Sequence, residues 1–201
     1  MLTFLRQYDT YTDEKLMKFI QRQDTVAFDV LYERYSKRML YYFHRMLGGN
    51  EEKAQDFLQD LFLKIVEKPE RFCTDNKFTS WIFTVAHNMC KNEYRQQSVR
   101  QIVSNAPDMD LLCENLGDDH PIEQAVDHHQ FEQAVILALS ELSPEHKTTF
   151  LLRHQENQSI KEISAQLNCS EGTTKSRLFY TTQKLAQKLK RHNPYRDERC
   201  I

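Results

Sequence analysis

A three- and four-residue spacing of apolar side chains constrains the fold of this chain more than any other feature of the sequence. The spacing runs through residues 24–47, 51–67 and 77–95, with Gly48-Gly49 between the first two segments and Pro69 after the second. Apolar residues at these intervals lie on one face of an α-helix, and glycine and proline end helices. The first half of the chain is therefore predicted to form three amphipathic helices that close a small core together.

Composition extends this prediction to the whole chain. The 201 residues include only four glycines and five prolines, and 28% of them are charged. Good helix formers are abundant, so we predict an all-α protein. Charged residues interrupt the apolar side chains of the first 19 residues, and no segment approaches the roughly 20 apolar residues of a membrane span. We therefore expect a cytoplasmic protein without membrane insertion.

The cysteines and histidines do not predict a metal site. Five cysteines show neither the CxxC spacing of a zinc ribbon nor an even disulfide set, and His87-x-x-Cys90 is the one spacing worth naming. A zinc site needs about four convergent ligands, so we predict reduced thiols, no metal and no cofactor. The sequence also lacks a glycine-rich phosphate loop and a nucleophile elbow, so an enzyme is not expected.

The formal net charge of −2 hides a strong asymmetry along the chain. Residues 96–130 contain seven acidic side chains and one basic side chain, whereas residues 143–196 contain ten basic and four acidic side chains. The acidic stretch also contains two prolines and a glycine without a helical period, which is typical of a linker. We predict a flexible acidic linker that joins two small helical domains and precedes a short tail. The ranges are 98–130 for the linker, 1–97 and 131–193 for the domains, and 194–201 for the tail.

The third predicted helix leaves a polar stripe outside its core face, with Trp81 at the edge of the stripe. An aromatic ring beside cations suits single-stranded nucleic acid, because a base stacks on the ring while the cations hold the backbone. The alternative is that Trp81 belongs to the core and that the stripe is a solvated face. On the second helix, Asp56 and Asp60 lie near Gln59 and form either a solvated face or a docking surface. The candidate residues of the third helix are Lys77, Trp81, Thr84, Asn88, Lys91 and Arg95.

Residues 143–191 carry the signals of a helix-turn-helix. Ser143 followed by Pro144 begins one helix, because serine caps a helix and proline suits its first position. Ser159 and Glu162 have the spacing of a capping box, which begins a short second helix. A three-residue turn then leads into a longer basic helix. This arrangement is typical of DNA-binding proteins whose last helix enters the major groove.

The last helix has an inner and an outer face. Thr174 and Leu185 recur on the inner side, whereas Arg177 faces outward and is expected to read guanine edges or phosphate. Lys184 and Lys188 are expected to meet phosphates. A solvated cationic helix is the alternative. The candidate residues for duplex DNA are Ser170, Thr173, Lys175, Ser176, Arg177, Tyr180 and Lys184.

These segments resemble the sigma-70 family, specifically its small two-domain extracytoplasmic-function type. In the first domain, AFDVLYERY, AQDFLQDLF and FTSWIFTVAHNMCKNEYR are similar to region 2 of that family. In the second domain, LSPEHKTTFLLRHQENQSIKEISAQLNCSEGTTKSRL is similar to region 4. The resemblance covers nearly all of the chain except about the first twenty residues, the linker and the tail. Several matched blocks in the right order are a more specific signal than the helix-turn-helix alone.

The resemblance implies how the two domains divide their work. Region 2 docks on the clamp of core RNA polymerase and melts and reads the minus-ten element with the six candidate residues of the third helix. Region 4 reads the duplex minus-thirty-five element with the candidates of the last helix, and the linker threads toward the RNA path of the polymerase. The residues implied in clamp docking are Asp56, Leu58, Gln59, Asp60 and Phe62.

Two positions depart from the pattern of the family. Asp60 stands where glutamate is usual, which keeps the charge. His87 stands where arginine is usual before Asn88, which removes a permanent cation from the minus-ten surface.

The implied function is that of a bacterial alternative sigma factor that directs promoter-specific transcription initiation. Its expected partners are the clamp and flap of core RNA polymerase, promoter DNA and an anti-sigma factor, and the free protein is expected to be a monomer. One alternative is a sigma-like decoy that sequesters an anti-sigma factor. Another is a dimeric helix-turn-helix repressor, which would leave the first domain and the linker without a role.

Overall fold

A computed structural model describes residues 7–104 and 123–192 of the chain. Every regular element in these two ranges is helical, which confirms the all-α prediction. Short 3-10 turns follow the third and the last α-helix, at Pro69–Arg71 and Leu189–His192. The α-helices are α1 Asp13–Ile20, α2 Thr25–Met46, α3 Glu51–Glu67, α4 Phe78–Ser104, α5 Glu123–Ser140, α6 Pro144–His154, α7 Ile160–Gln166 and α8 Glu171–Lys188.

Side-chain caps fix where several of these helices begin. The Asn50 side chain accepts a hydrogen bond from the backbone N–H of Lys53 at the start of α3, and Ser170 does the same for Thr173 at the start of α8. Ser159 and Glu162 form the predicted capping box at α7. Each cap satisfies a backbone donor that the first helical turn leaves unpaired. The predicted starts of α3, α7 and α8 are confirmed.

Two glycines end α2 and turn the chain toward α3. Gly48 and Gly49 have φ angles of 74° and 86°, in the left-handed region that glycine enters without the steric cost of a side chain. A Cβ atom on Gly49 would also lie only 3.1 Å from Cγ2 of Ile136 on α5. This turn therefore requires glycine both for its backbone conformation and for a close approach.

Helices α1 to α4, which we call the first domain, share an aromatic-rich core. Tyr35 of α2 is buried and contacts Phe78 of α4 edge-on, with ring centroids 5.1 Å apart. Its hydroxyl donates to Asp13 of α1 at 2.5 Å and lies 2.8 Å from the Thr79 hydroxyl. Glu14 accepts from the backbone N–H of Phe78 at 3.0 Å, which satisfies a donor at the start of α4. Polar contacts thus hold α1 against the start of α4.

Helices α5 to α8, which we call the second domain, contribute a smaller set of apolar residues to a core that is continuous with that of the first domain. Leu139 of α5, Leu152 of α6, Ile163 of α7 and Leu185 of α8 are buried together in it. Burial of such aliphatic side chains contributes roughly 1.5–3 kcal/mol each. This core holds α7 and α8 in the helix-turn-helix arrangement that the sequence predicts.

The two domains pack against each other through α2 and α4 of the first and α5, α6 and α7 of the second. Buried polar side chains and ion pairs lie at this junction, which we call the interdomain interface. Its contacts join Tyr42 and His87 to Thr148, Tyr94 to Lys147, Arg38 to Glu156, and Lys77 to Glu162. The sequence did not predict this contact between the domains.

Helical structure also reaches into the segment predicted as a linker, 98–130. Helix α4 continues to Ser104 instead of ending near Arg95, because glycine and proline are absent until Pro107. Helix α5 begins at Glu123. Residues 105–122, which contain the prolines and the glycine of the acidic stretch, lie outside the described residues, as does the predicted tail. In the two described ranges, no helix combines the length and the apolar character needed to cross a membrane.

Candidate nucleic-acid and polymerase interfaces

Helix α8 is anchored by its inner face, as the sequence predicts. Thr174 and Leu185 are buried against the rest of the second domain, and Leu189 packs on the same core. This fixes the rotation of the helix, so the opposite face is presented to solvent. Among the candidates for duplex DNA, the exposed side chains are Ser170, Thr173, Lys175, Ser176 and Tyr180.

An aromatic pair extends this outer face. Phe179 and Tyr180 are 65% and 61% exposed, and their rings meet edge-on with centroids 5.5 Å apart. Tyr180 was a predicted DNA contact, whereas Phe179 was not. The signal was available, because Phe179 lies five residues after the inward-facing Thr174 and six before Leu185, spacings that place it away from the inner face. An exposed aromatic ring on a helix of this kind is suited to contact the methyl group of thymine.

The cations of α8 differ in their surroundings. Arg177 is half-buried, and its Nη1 donates to Sγ of Cys169 at 3.8 Å. Nζ of Lys184 donates to the backbone carbonyl of Glu141 at 3.0 Å, and Lys188 pairs with the Glu141 carboxylate. The predicted phosphate contacts of Lys184 and Lys188 would therefore require these side chains to leave Glu141.

The polar stripe on α4 is largely open to solvent. Asn88, Lys91 and Arg95 are exposed, and their spacing places them along one side of the helix. Lys77 is also exposed, but its Nζ donates to Oε1 of Glu162 at 2.7 Å. This hydrogen bond raises the pKa of Lys77 and lowers the pKa of Glu162 to about 2. Both groups therefore stay charged at neutral pH.

Trp81 lies between the stripe and the core. Its ring is half-buried and meets Phe72 with centroids 5.3 Å apart and Phe78 at 5.8 Å. Thr84, one turn later, is half-buried, and its hydroxyl donates to the backbone carbonyl of Ser80 at 2.7 Å. The indole thus packs on the core of the first domain while part of it stays accessible beside the cations.

His87 is not part of the open stripe. It is buried at the interdomain interface, where its Nδ1 lies 2.9 Å from Oγ1 of Thr148. Burial lowers its pKa, because the charged form of the imidazole loses its hydration. Cys90, the other member of the H-x-x-C spacing, is fully buried, and burial raises the pKa of its thiol to about 12. The described residues contain no group of three or more side chains that could hold a metal.

The outer face of α3 combines acidic, amide and apolar side chains. Asp56, Gln59 and Asp60 are exposed, as the docking prediction requires. Leu63 is 53% and Val66 50% exposed on the same side of the helix, and neither of them was among the predicted docking residues. They add apolar surface beside the acidic and amide groups of this face.

Two other residues of the predicted docking set have a different position. Leu58 and Phe62 are buried in the core of the first domain. The ring of Phe62 meets Tyr32 and Phe28 of α2, with centroids 4.7 Å and 6.0 Å apart. These two side chains therefore orient α3, and the exposed residues of that helix remain for a partner.

Comparisons with known proteins agree with these features. Residues 31–100 match the family described as Sigma-70 region 2, and residues 132–185 match the family described as Sigma-70, region 4. The RNA polymerase sigma-H factor of Pseudomonas aeruginosa is 29% identical over 176 residues, which cover 83% of this chain and 88% of that protein. The ECF RNA polymerase sigma-E factor of Haemophilus influenzae is 27% identical over 187 residues, covering 89% and 95%.

Two solved structures share the fold. One is the sigma factor RpoE in complex with the anti-sigma factor NepR from Bartonella quintana, with a TM-score of 0.60, 23% identity, and coverage of 81% of this chain and 96% of that one. The other is CnrH in complex with the cytosolic domain of CnrY, with a TM-score of 0.64, 20% identity, and coverage of 90% and 99%. The chain belongs to the sigma-70 family of RNA polymerase sigma factors, in its extracytoplasmic-function subfamily.

Proposed function

We propose that this protein is a bacterial alternative sigma factor that binds core RNA polymerase and directs promoter-specific initiation. The observation that carries the proposal is the presence of both sigma regions, in order, on one chain. Each region also exposes a surface suited to its part of the work. The protein acts on chromosomal promoters together with the polymerase and therefore in the cytoplasm.

Polymerase docking falls to α3. Its exposed Asp56, Gln59 and Asp60, next to Leu63 and Val66, offer a partly apolar and partly acidic face. Such a face suits a protein partner that presents both apolar and basic groups, because each kind of group then finds a counterpart. The buried Leu58 and Phe62 contribute by holding the helix in place. The clamp of the polymerase is the proposed partner of this face, and the flap is the proposed partner of the second domain.

Melting and minus-ten recognition fall to α4. Lys77, Lys91 and Arg95 supply cations for the DNA backbone, and the accessible part of Trp81 supplies a stacking surface. Unstacking a base costs a few kcal/mol, and stacking on an aromatic ring recovers about 1–3 kcal/mol. Thr84 and Asn88 complete the proposed set with groups that can hydrogen-bond to base edges.

Minus-thirty-five recognition falls to α8. Its capped N-terminus carries the exposed Ser170 and Thr173, and helix N-termini in this position contact phosphates. Arg177 is proposed to read base edges or phosphate, and Lys184 to contact phosphate after it leaves Glu141. The remaining members of the proposed set are Lys175, Ser176 and Tyr180.

An anti-sigma factor is a further proposed partner. It is supported by the likeness to RpoE, whose solved structure contains the anti-sigma factor NepR. The free protein is proposed to be a monomer, since the two regions together supply both promoter contacts.

Runoff transcription with bacterial core polymerase tests the proposal. The templates are promoters from the genome of the source organism, in duplex and in pre-melted form. We expect discrete start sites with the wild type and a loss of transcripts on duplex templates with Arg177→Ala. The matched control is Arg22→Ala, which removes an exposed cation just after α1 and should transcribe normally.

Further outcomes distinguish the surfaces. Pre-melted templates should partly restore transcription by Arg177→Ala, because they remove the cost of melting. This restoration should require an intact Trp81. An absence of transcripts, together with no co-purification of core polymerase, would overturn the proposal and favour a decoy that binds an anti-sigma factor. Tight, specific promoter binding by the isolated chain would also count against it.

A further inference from the structure

The interdomain interface is centred on a buried hydroxyl that the proposed function does not use. Thr148 of α6 is fully buried, and its Oγ1 lies 2.9 Å from Nδ1 of His87 on α4 and 3.1 Å from the hydroxyl of Tyr42 on α2. The single proton of the Thr148 hydroxyl can be donated to an unprotonated Nδ1 or to Sδ of Met46, 3.6 Å away, and the Tyr42 hydroxyl can donate to Thr148 in either case. Three helices from two domains thus meet at one hydrogen-bonded cluster.

A buried lysine adjoins this cluster. Lys147 of α6 is 1% exposed, and its Nζ donates to the Tyr94 hydroxyl at 2.7 Å and to the backbone carbonyl of Met46 at 3.4 Å. The ammonium also lies 4.9 Å from the centre of the Tyr94 ring. Tyr94 belongs to α4 and Met46 to α2, so Lys147 also joins the second domain to both of these helices. Its hydrogen-bonded partners are neutral oxygens.

Two ion pairs also join the domains. Arg38 of α2 donates from Nε and Nη2 to Oε2 of Glu156, whose side chain is almost fully buried. Lys77 of α4 pairs with Glu162 of α7. The latter pair engages a cation of the proposed minus-ten surface with a residue of the helix-turn-helix. Closure of the two domains therefore occupies part of the surface that the proposed function needs for DNA.

We propose that the interdomain interface is an internal latch, which holds the free chain closed with its minus-ten surface partly covered, and that protonation of His87 opens it. The closed state depends on the chain alone. That closure hinders DNA binding by the minus-ten surface rests on the proposed function. Protonation of the ring is the chemical event, because Nδ1 then no longer accepts from the Thr148 hydroxyl and the buried imidazole carries a positive charge that opening returns to water.

Burial is the main reason that the neutral ring is favoured in the closed state, and the charged groups around His87 act in both directions. Glu145 of α6 acts to raise the pKa of His87, whereas Lys91 of α4 and Arg177 of α8 act to lower it. Tyr42 of α2 faces the ring through Thr148. In the open state the ring regains water and an ordinary pKa of about 6.5. The open state then binds more protons, so the closed state is favoured above that pH and is lost as pH falls toward the lowered pKa of the buried ring.

Lys147 acts in the same direction but in a higher pH range. Burial lowers its pKa to about 8, so opening favours its protonation only above that value. Near and below neutral pH it is charged in both states and does not contribute to the pH dependence. His87 is therefore the group that sets the response on the acidic side. With one proton involved, the ratio of closed to open chains changes by at most about tenfold per pH unit.

Small-angle X-ray scattering of the full chain near pH 7.5 and near pH 5.5 tests the latch without any polymerase. We expect the wild type to be compact at the higher pH and expanded at the lower one. His87→Asn should stay compact at both, because its amide places a hydrogen-bonding group near the position of Nδ1 but does not titrate. The matched control is His154→Asn, which removes an exposed histidine of α6 and should keep the wild-type response.

Charge reversal at the edge of the interface provides an independent variant. Glu156→Arg places two cations together and should expand the chain at both pH values, with its helical circular dichroism unchanged. Adding Arg38→Glu should restore the compact state. A wild type that is equally compact at both pH values would overturn the proposal, as would expansion of His87→Asn to the same extent as the wild type.

The test also separates the latch from the proposed function. A scattering response as expected, combined with no transcripts in the runoff assay, would refute the proposed function and leave the latch intact. Transcription in the runoff assay without any pH-dependent expansion would support the proposed function and refute the latch.

Discussion

Replacement of Lys147 by methionine is expected to remove a pH-dependent part of the stability of this protein. Among the residues that the structure describes, the buried ammonium donates only to the Tyr94 hydroxyl and the Met46 carbonyl. Methionine has a similar length and no charge, so it can fill the same space. The Tyr94 hydroxyl keeps its hydrogen bond to the Met46 carbonyl in the variant, so the substitution does not leave that group unpaired.

The size of the effect follows from the pKa of Lys147. Burial lowers it from 10.5 to about 8, so the folded chain binds fewer protons than the unfolded chain between these values and its stability rises with pH. Integrated over the interval, Lys147 adds about 2 kcal/mol to the free energy of unfolding near pH 9.5 relative to pH 7. Below pH 8 this contribution is absent. The rise should be missing in Lys147→Met.

Urea unfolding followed by far-ultraviolet circular dichroism, near pH 7 and near pH 9.5, measures this difference. The Cys90 thiol acts in the opposite direction, because burial raises its pKa to about 12 and the unfolded chain ionises first. Cys90 is present in both proteins, so its burial effect cancels in the difference between them, which then contains the contribution of Lys147 together with its charge interaction with Cys90. Lys161→Met, at an exposed lysine of α7, is the matched control. A pH response of Lys147→Met equal to that of the wild type would refute the assignment.

Three further predictions concern single surfaces. Ser159→Ala removes the capping box of α7 and should lower the free energy of unfolding by about 1 kcal/mol, whereas Ser159→Thr keeps the hydroxyl and should retain most of the wild-type stability; urea unfolding measures both variants. Phe179→Ala should change stability by less than about 0.5 kcal/mol but weaken binding of the second domain within the polymerase complex to duplex minus-thirty-five DNA; unchanged fluorescence anisotropy would contradict a role in readout. Leu63→Asp on α3 should leave the fold intact and reduce the affinity for core polymerase, and equal recovery of polymerase in a pull-down would exclude this face from docking.

Features that depend on neighbours in the chain could be predicted from the sequence. The starts of α3, α7 and α8 follow from Asn50, Ser159 and Ser170, because each cap acts within three residues of itself. The inner face of α8 follows from the spacing of its apolar residues. The end of α4 was predicted too early, near Arg95, although the sequence contains no glycine or proline between Arg95 and Pro107 that would stop the helix.

Features that depend on distant residues could not be predicted in this way. Lys147 and Thr148 are polar residues on a short helix, and the sequence offers no sign that they are buried. Their partners lie more than fifty residues away along the chain. Burial of Leu58 and Phe62 shows a related limit, since membership in a motif does not tell whether a side chain faces a partner or the core.

The capping box of α7 has a consequence for how the domains can separate. One oxygen of Glu162 binds the backbone N–H and the hydroxyl of Ser159, and the other accepts from Lys77 across the interface. Separation breaks only the second of these contacts, and an exposed ion pair of this kind contributes at most about 1 kcal/mol. The first contact stays, so the helix-turn-helix keeps its own start while Lys77 becomes free to exchange a carboxylate for a phosphate. Lys77 can therefore exchange Glu162 for another partner while the start of α7, which Glu162 caps, stays intact.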